Sequence, residues 1–470
     1  MSSAYDAVIV GGGISGMSAA YRLRQLRPGW RLLLLESADS LGGKVATTYE
    51  NGFVLEAGPD SFLSRKPGGI QLIRELGLEH ELVGRRSENH GSFVRRGGKL
   101  HPIPEGLTGL VPTDLDLFRN TNLLSAQGIE RVAQERDIPP ADPATKESVA
   151  AFVIRRFGRE LYENLMEPLL SGIYAGQADQ LSLEATFPQL KALEQEHGSV
   201  IAGLENSKIV STPTSSLPPF VSLKAGMTRL VSALAHRLAG VDIRLNSPAA
   251  AIDWNGAQYH LFLEASADVI ATPILILALP AFTAACLLTP VRPSLSEPLA
   301  AIPYAGTVLV NLAFAVDDVS IPLNGYGYVI PSVENNPVLA CTWSSSKWPE
   351  RAPADHVLLR LYIGRFGQDA TALSDDALLA LAQSELKQAM GITAPPLFHR
   401  LHRWPLAMPQ YTLSHLERIA TIEREAASLP GLYLAGNYFR GVGIPDCISS
   451  GDAAAHAAAL FPKMSAIQSE

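Results

Sequence analysis

The chain has 470 residues, 47% hydrophobic and 18% charged, and its 46 acidic against 38 basic residues leave a net charge of −8. This composition excludes disorder and gives no support to nucleic-acid binding, and the length exceeds one compact core, so two or three domains are expected, one of them discontinuous. Three widely spaced cysteines, Cys286, Cys341 and Cys447, argue against a disulfide framework or a metal site and fit a reducing compartment.

The first element is Tyr5–Glu36. The β-branched run Ala7–Val10 stops at three glycines, the small-residue segment Ile14–Leu26 follows, and the apolar run Leu32–Leu35 closes a strand–turn–helix–strand unit. In its G-x-G-x-x-G, Gly11 permits the sharp turn, Gly13 lets the backbone approach a pyrophosphate, and Gly16 lets the helix lie close on the sheet. Phosphates then meet free N–H groups at the helix N-terminus. Glu36, 20 residues beyond Gly16, is placed to accept hydrogen bonds from a ribose and to repel a 2′-phosphate, which disfavours NADP. Met1–Tyr5 lacks a basic segment, so no signal peptide is expected.

Leu41–Lys44 and Gly52–Asp60 read as loops whose backbone passes close to the same ligand. Ser64–Lys66 and Arg95–Lys99 supply local positive charge, or a solvated face. Leu100–Pro112, rich in proline and glycine, reads as a crossing between domains. From Thr113 to Leu204 apolar residues recur at helical spacing, notably in Val149–Phe157 and Leu161–Leu170, and Ser171–Gly176 reads as a bend whose backbone lines a pocket. Ser207–Pro219 is a linker.

Phe220–Val241 carries a Gly-Met turn and an amphipathic helix, strands are expected at Val241–Leu245 and Ile274–Leu279, and Tyr259–Ala265 reads as hairpin-like. The uncharged Val269–Leu288 meets the length of a membrane-spanning helix, but Pro273 and Pro280 favour a buried strand ending at Pro280 and a helix with that proline in its first turn. Val308–Ala315 and Val357–Ile363 read as strands of a second, antiparallel sheet. Between them Tyr326 and Tyr328 fall on one face, either stacking on a planar ligand or packing across strands. His399 and His402 read as structural. Finally, Leu432–Leu460 repeats strand, glycine loop and helix, the helix starting near Asp446. Its N–H groups meet the far end of a large dinucleotide, a closing element that a buried flavin needs and a nicotinamide seldom does.

The set Gly11–Gly16, Glu36, Leu41–Lys44, Gly58–Ser61, LLSGIYAG at Leu169–Gly176, CTW…KWP at Cys341–Pro349, RW…MPQY at Arg403–Tyr411 and GVGIPDC at Gly441–Cys447 resembles the FAD-dependent protoporphyrinogen/coproporphyrinogen oxidases, from about residue 5 to 460. The resemblance implies an α/β and α+β fold with three parts. These are a Rossmann-like FAD-binding domain (1–90, 220–285 and 415–465), a mixed-sheet substrate domain (91–112 and 286–414) and a helical insertion domain (113–210). It implies that Gly11, Gly13, Ile14, Ser15 and Gly16 hold the pyrophosphate, Glu36 and Ser37 the ribose, and Ala249 the adenine. Gly42, Gly43 and Lys44 would line the FAD. Gly58, Pro59, Asp60, Ser61, Trp404 and Gly436 would sit near the flavin, and Val442, Gly443, Ile444 and Asp446 at its ribityl and pyrimidine end.

The same resemblance implies oxidation of a porphyrinogen to its porphyrin with O₂ and release of H₂O₂ in haem biosynthesis. Coproporphyrinogen III is favoured and protoporphyrinogen IX is the alternative. The substrate pocket would be formed by Ser171, Gly172, Ile173, Tyr326, Tyr328 and Val329. Ser171 stands where some relatives carry an arginine for a substrate propionate, which leaves that contact to Arg65 or Lys66. No catalytic side chain is assigned. The expected setting is cytoplasmic without a spanning segment; peripheral membrane contact and contact with other haem-pathway enzymes stay open. A flavin amine oxidase, a carotenoid-type desaturase and a non-catalytic FAD-binding scaffold are the competing readings.

Overall fold

The computed structural model of the chain describes residues 3–210, 217–264, 266 and 268–462. One layer is a five-stranded, wholly parallel sheet in the order Asp242–Arg244, Leu32–Leu35, Ala7–Val10, Leu275–Leu277, Leu432–Leu434. Its three central strands are buried at every position, as a sheet covered on both faces requires. Ala7, Ile9, Leu32, Leu34 and Ile276 face the helices Ile14–Leu26, Thr228–Arg237 and Ile444–Ala459. Val8, Val10, Leu33, Leu35, Leu275 and Leu277 face the helices Ala281–Leu288 and Pro293–Ala300 and a four-stranded sheet that includes Ala249–Trp254, Tyr259–Leu263 and Val269–Thr272. Alternation along each strand therefore divides a continuous apolar run between two cores.

The uncharged stretch 269–288 is divided accordingly. Val269–Thr272 belongs to one sheet and Leu275–Leu277 to another, and Pro280 is the N-cap of the helix Ala281–Leu288. The strand stops short of the expected Pro280, and the proline lies just outside the helix instead of in its first turn. Among the described residues no helix is long and apolar enough to cross a membrane.

The second large sheet has seven strands in the order Phe398–Pro409, Tyr304–Ala315, His356–Ile363, Val338–Trp343, Gly327–Val329, Phe93–Arg96, Lys99–Pro102. Its neighbours are antiparallel except Gly327–Val329 with Phe93–Arg96, which run parallel, so the sheet is mixed. The second sheet's expected antiparallel character therefore holds everywhere but at that one junction. The segment Tyr259–Ala265, read as hairpin-like, is instead a single strand Tyr259–Leu263 paired on both sides, and Ala265 lies outside the described residues. Much of the linker read at Ser207–Pro219 also lies outside them.

Residues 115–210 are helical. Ser125 and Ser148 cap the helices Ala126–Ala133 and Val149–Phe157 by accepting from the backbone N–H three residues on. The bend expected over Ser171–Gly176 falls at the end of that segment: the helix Glu167–Tyr174 continues through Ser171, and the chain turns at Ala175, a left-handed residue with φ 48°, and Gly176. Ser171 is tolerated inside the helix because its hydroxyl donates to Glu167, one turn earlier, at 2.7 Å.

This helical part is pinned by a fully buried ion pair. Arg156 donates to the Glu135 carboxylate, and its other N–H groups reach the Ile138 carbonyl (2.6 Å) and Glu194 (3.3 Å). Glu135 also accepts from the Ser199 hydroxyl and from the Val200 N–H at 2.9 Å. Removing Glu135 leaves the buried Arg156 with only its longer contact to Glu194, which costs up to about 3–5 kcal/mol. Glu135→Ala is expected to lower the midpoint of the first urea transition by a matching amount, whereas Arg136→Ala, at an exposed pair with Glu205, should shift it little.

Candidate functional site

The strand Ala7–Val10 runs into Gly11, whose φ of 106° is open to glycine. A Cβ on Gly16 would stand 1.8 Å from the Gly11 carbonyl oxygen, so only glycine lets the helix Ile14–Leu26 lie on this turn. Gly13, the N-cap of that helix, is different: a Cβ there would meet nothing within 4 Å. Open space thus lies in front of the helix start. Glu36 accepts from the backbone N–H groups of Gly12 (2.6 Å) and Ala38 (2.8 Å) and from the Ser37 hydroxyl (3.1 Å). Its carbonyl accepts from Ser247 N–H at 2.8 Å, which brings Ala249 to the same corner.

The C-terminal helix Ile444–Ala459 meets the first helix near its start. A Cβ on Gly451 would stand 2.1 Å from the Ser15 carbonyl oxygen, and the Ser15 hydroxyl contacts Cys447. Two helix N-termini therefore converge, each carrying partial positive charge. Gly42 bridges to Gly13 and donates to the Gly12 carbonyl at 2.9 Å, and Gly43 lies against Gly13. Lys44 has no hydrogen-bond or ion-pair partner among the described residues, and burial depresses its ammonium's pKa. An open cradle at Gly13, two converging helix starts and a lysine lacking a counter-ion fit the diphosphate of an extended dinucleotide.

Residues 57–61 run beside this cradle. The Ala57 carbonyl accepts from the Trp404 indole at 2.7 Å, and the Gly58 carbonyl accepts from Arg360 at 2.9 Å. Pro59 is exposed. Ser61 donates to Asp60 at 2.9 Å. Asp60 is almost fully buried and accepts from Lys347 (3.0 Å) and the Trp348 indole (2.9 Å), with Arg360 at 3.1 Å. Burial pushes its carboxyl up, but these partners outweigh it and hold Asp60 far below the usual carboxylate range.

The far end of the cleft is the loop 436–443. Gly436 N–H donates to Ser450 at 3.0 Å, and Gly443, the N-cap of the C-terminal helix, donates to Asp446 at 3.1 Å. Ile444, the first residue of that helix, is buried. Two side chains beyond the second sheet clamp this loop. The Tyr411 hydroxyl accepts from Gly441 N–H at 2.8 Å and donates to the Asn437 carbonyl at 2.5 Å. His415 stacks on the Tyr411 ring at 4.1 Å and meets the Phe439 carbonyl at 3.0 Å through Nε2. Burial pushes the His415 imidazole down to about 4, so it stays neutral near pH 7 and donates to that carbonyl.

On the pocket side, a Cβ on Gly172 would meet Val329 at 3.8 Å, Ile173 is 47% exposed, and Val329 and Val442 pack on the same helical core as Leu170 and Tyr174. Helical part, mixed sheet and C-terminal loop meet there. Other predicted pocket residues are placed differently. Ser171 is buried and bonded to Glu167. Tyr328, 2% exposed, belongs to the core of the mixed sheet, so its ring forms no pocket wall. Tyr326 lies outside the short strand, donates to the Arg86 or Asn89 carbonyl, and carries the Arg85 guanidinium over its ring at 4.5 Å. Lys66 is not free for a propionate, because it pairs with Asp446 at 2.6 Å. Arg65 is exposed and has no charged partner among the described residues. His402 lies on the strand Phe398–Pro409, where burial lowers its pKa.

Sequence reasoning assigned no role to Lys347, Trp348, Arg360, Tyr411 or His415. The KWP and MPQY motifs contain three of them, but their partners lie up to 288 positions away.

A parallel sheet with a glycine-turn helix start, closed by a second helix start and faced by a mixed sheet, defines the class of proteins that hold an extended dinucleotide between two sheets. The model of the flavin-containing amine oxidoreductases matches residues 14–459, and the chain belongs to that family. The chain is 35% identical to the coproporphyrinogen III oxidase of Bacillus subtilis (strain 168) over 457 residues, 95% of this chain and 96% of that one. It is 32% identical to the coproporphyrinogen III oxidase of Staphylococcus aureus, with 95% and 97% covered. The crystal structure of a candidate protoporphyrinogen oxidase from Exiguobacterium sp. 255-15 superimposes with a TM-score of 0.87 at 36% identity, covering 98% of this chain and 100% of that one.

The cradle makes a sharp expectation for Gly13→Ala. Its methyl enters open space, so the melting temperature of the flavin-free protein should stay within about a degree, while flavin affinity falls at least tenfold in a fluorescence titration. Tyr411→Phe removes a donor and an acceptor worth roughly 1–1.5 kcal/mol together. It should weaken flavin retention by about tenfold, measured the same way.

Proposed function

We propose that this chain is an FAD-dependent oxidase that converts a porphyrinogen to its porphyrin in haem biosynthesis, with coproporphyrinogen III preferred over protoporphyrinogen IX. The observation that carries this reading is the 35% identity, across 95% of the chain, to a protein named coproporphyrinogen III oxidase. When bound, FAD supplies two-electron acceptance from the saturated bridging carbons and reoxidation by O₂; six hydrogens leave the macrocycle in three turnovers, giving three H₂O₂.

The chain's own residues bind and orient. Gly11–Gly16, Lys44 and the first helix start hold the diphosphate, Glu36 holds the ribose with Ala249 at the adenine, residues 442–446 at the second helix start meet the ribityl and pyrimidine end, and residues 57–61 lie beside the flavin. Ile173 and Val329 present an apolar wall to the macrocycle, with Gly172 giving it room. Arg65 is the cation left to meet a substrate carboxylate. No side chain is needed as a base: Ser171 is committed to Glu167 and His415 to the Phe439 carbonyl, and a pyrrole proton leaves to solvent or to a backbone carbonyl. In this reading the chain comprises an FAD-binding, a substrate and a helical part, with the helices Ala281–Leu288 and Pro293–Ala300 packed on the FAD-binding sheet, and the setting is cytoplasmic.

Anaerobic addition of coproporphyrinogen III to the FAD-loaded protein is expected to bleach the flavin band, and air to give three H₂O₂ per porphyrin. A flavin that stays oxidised with either porphyrinogen would mark a scaffold or another substrate. Ile173→Ala should raise KM several-fold with kcat changed less, and Arg65→Ala should penalise the tetracarboxylate coproporphyrinogen more than the dicarboxylate protoporphyrinogen.

A further inference from the structure

Under the 57–61 loop lies a group of five charges. Asp60 is met by Lys347 at 3.0 Å and Arg360 at 3.1 Å. Glu56 is faced by Arg351 at 3.6 Å and accepts from the Met227 N–H at 2.9 Å and the Thr47 hydroxyl at 2.7 Å. Three cations thus stand against two carboxylates. Arg351 and Arg360 are each 1% exposed, and the Nε atoms of both find no hydrogen-bond acceptor among the described residues. Taking ions out of water costs several kcal/mol each, and one-to-one pairing would serve stability better than an unbalanced set. Nor is the set sealed: the Lys347 side chain keeps 19% of its surface and Asp60 keeps 11%. Arg360 reaches the Gly58 carbonyl and the Tyr362 hydroxyl, and Trp404 the Ala57 carbonyl, so the group carries the loop that faces the cleft.

We propose that this unbalanced group sets the electron affinity of the bound flavin, with Lys347 raising it and Asp60 lowering it. Oxidised flavin plus two electrons and one proton gives a reduced flavin with one additional negative charge. A fixed net positive charge beside it, in a poorly screened site, favours that reduced state. The inference rests on the reading above only in placing the flavin against residues 57–61, not on the identity of the substrate.

The test is the midpoint potential of the FAD-loaded protein without substrate, equilibrated against a reference dye with dithionite as reductant. Lys347→Met should lower the two-electron equilibrium constant for reduction at least tenfold, which is about 30 mV. Asp60→Asn should raise it by a similar factor. Trp348→Phe removes an uncharged donor to Asp60 and should leave the potential within the error of the measurement. Opposite signs for the two charge variants cannot come from loosened packing alone. Unchanged potentials, or shifts of the same sign, would overturn the proposal. If either variant yields no FAD-loaded protein, Lys347→Arg (charge kept) against Lys347→Gln (charge lost) makes the same comparison, with a lower potential expected only for the glutamine. Opposite shifts in a protein that oxidises no porphyrinogen would uphold this inference and remove the functional reading. Equal potentials in an active oxidase would do the reverse.

Discussion

The approach of two helices without a side chain between them is the constraint on which the rest of this molecule depends. At Gly451 the C-terminal helix passes the carbonyl of Ser15 at a separation that excludes even a methyl group. That contact brings the start of a helix formed by residues 444–459 beside one formed by residues 14–26. The cradle proposed for the diphosphate depends on this approach: the two helix starts lie side by side, and Lys44, which has no hydrogen-bond or ion-pair partner among the described residues, stands beside them. The mixed sheet then needs only to close the other side, which it does through Trp404 and Arg360, with Tyr411 just beyond its last strand.

The cradle was legible because its residues act through local backbone geometry. Gly11, Gly13, Gly16 and Glu36 are set by one strand–helix–strand unit, and glycine spacing encodes that unit directly. The C-terminal strand, loop and helix were legible for the same reason, since a strand running into a glycine loop has few other interpretations. The apolar run 269–288 was readable as non-spanning from its prolines. Its division between two sheets was not, because which face each residue meets depends on strands elsewhere in the chain.

What was hidden is pairing over distance. Lys66 appeared as a free cation because the sequence cannot show Asp446, 380 positions later, closing on it. Asp60 appeared as part of a cofactor loop because nothing near it announces Lys347 and Arg360. The Tyr326 and Tyr328 reading failed through its period. Alternation holds inside a strand, but the strand begins at Gly327, so Tyr326 falls outside it and Tyr328 turns into the core. In Ser171–Gly176 the small residues pointed to a bend but not to its position: burial of Leu170 and Tyr174 keeps the helix running through Ser171, and the turn comes at Ala175.

The packing of the two helices also bears on how the chain comes to be folded during synthesis. The first strand–helix–strand unit emerges early, but the helix that covers one flank of Ile14–Leu26, and the edge strand Leu432–Leu434, are translated more than 400 residues later. At roughly 5–20 residues per second that is an interval on the order of 20–80 s. Throughout it the face of the first helix at Ser15 and Ala19 lacks its final cover, and the ligand cradle has only one of its two helix starts. A ligand held between both helix starts therefore has its full site only once residues 444–459 have been made, and until then one flank of the first helix stays without its final cover.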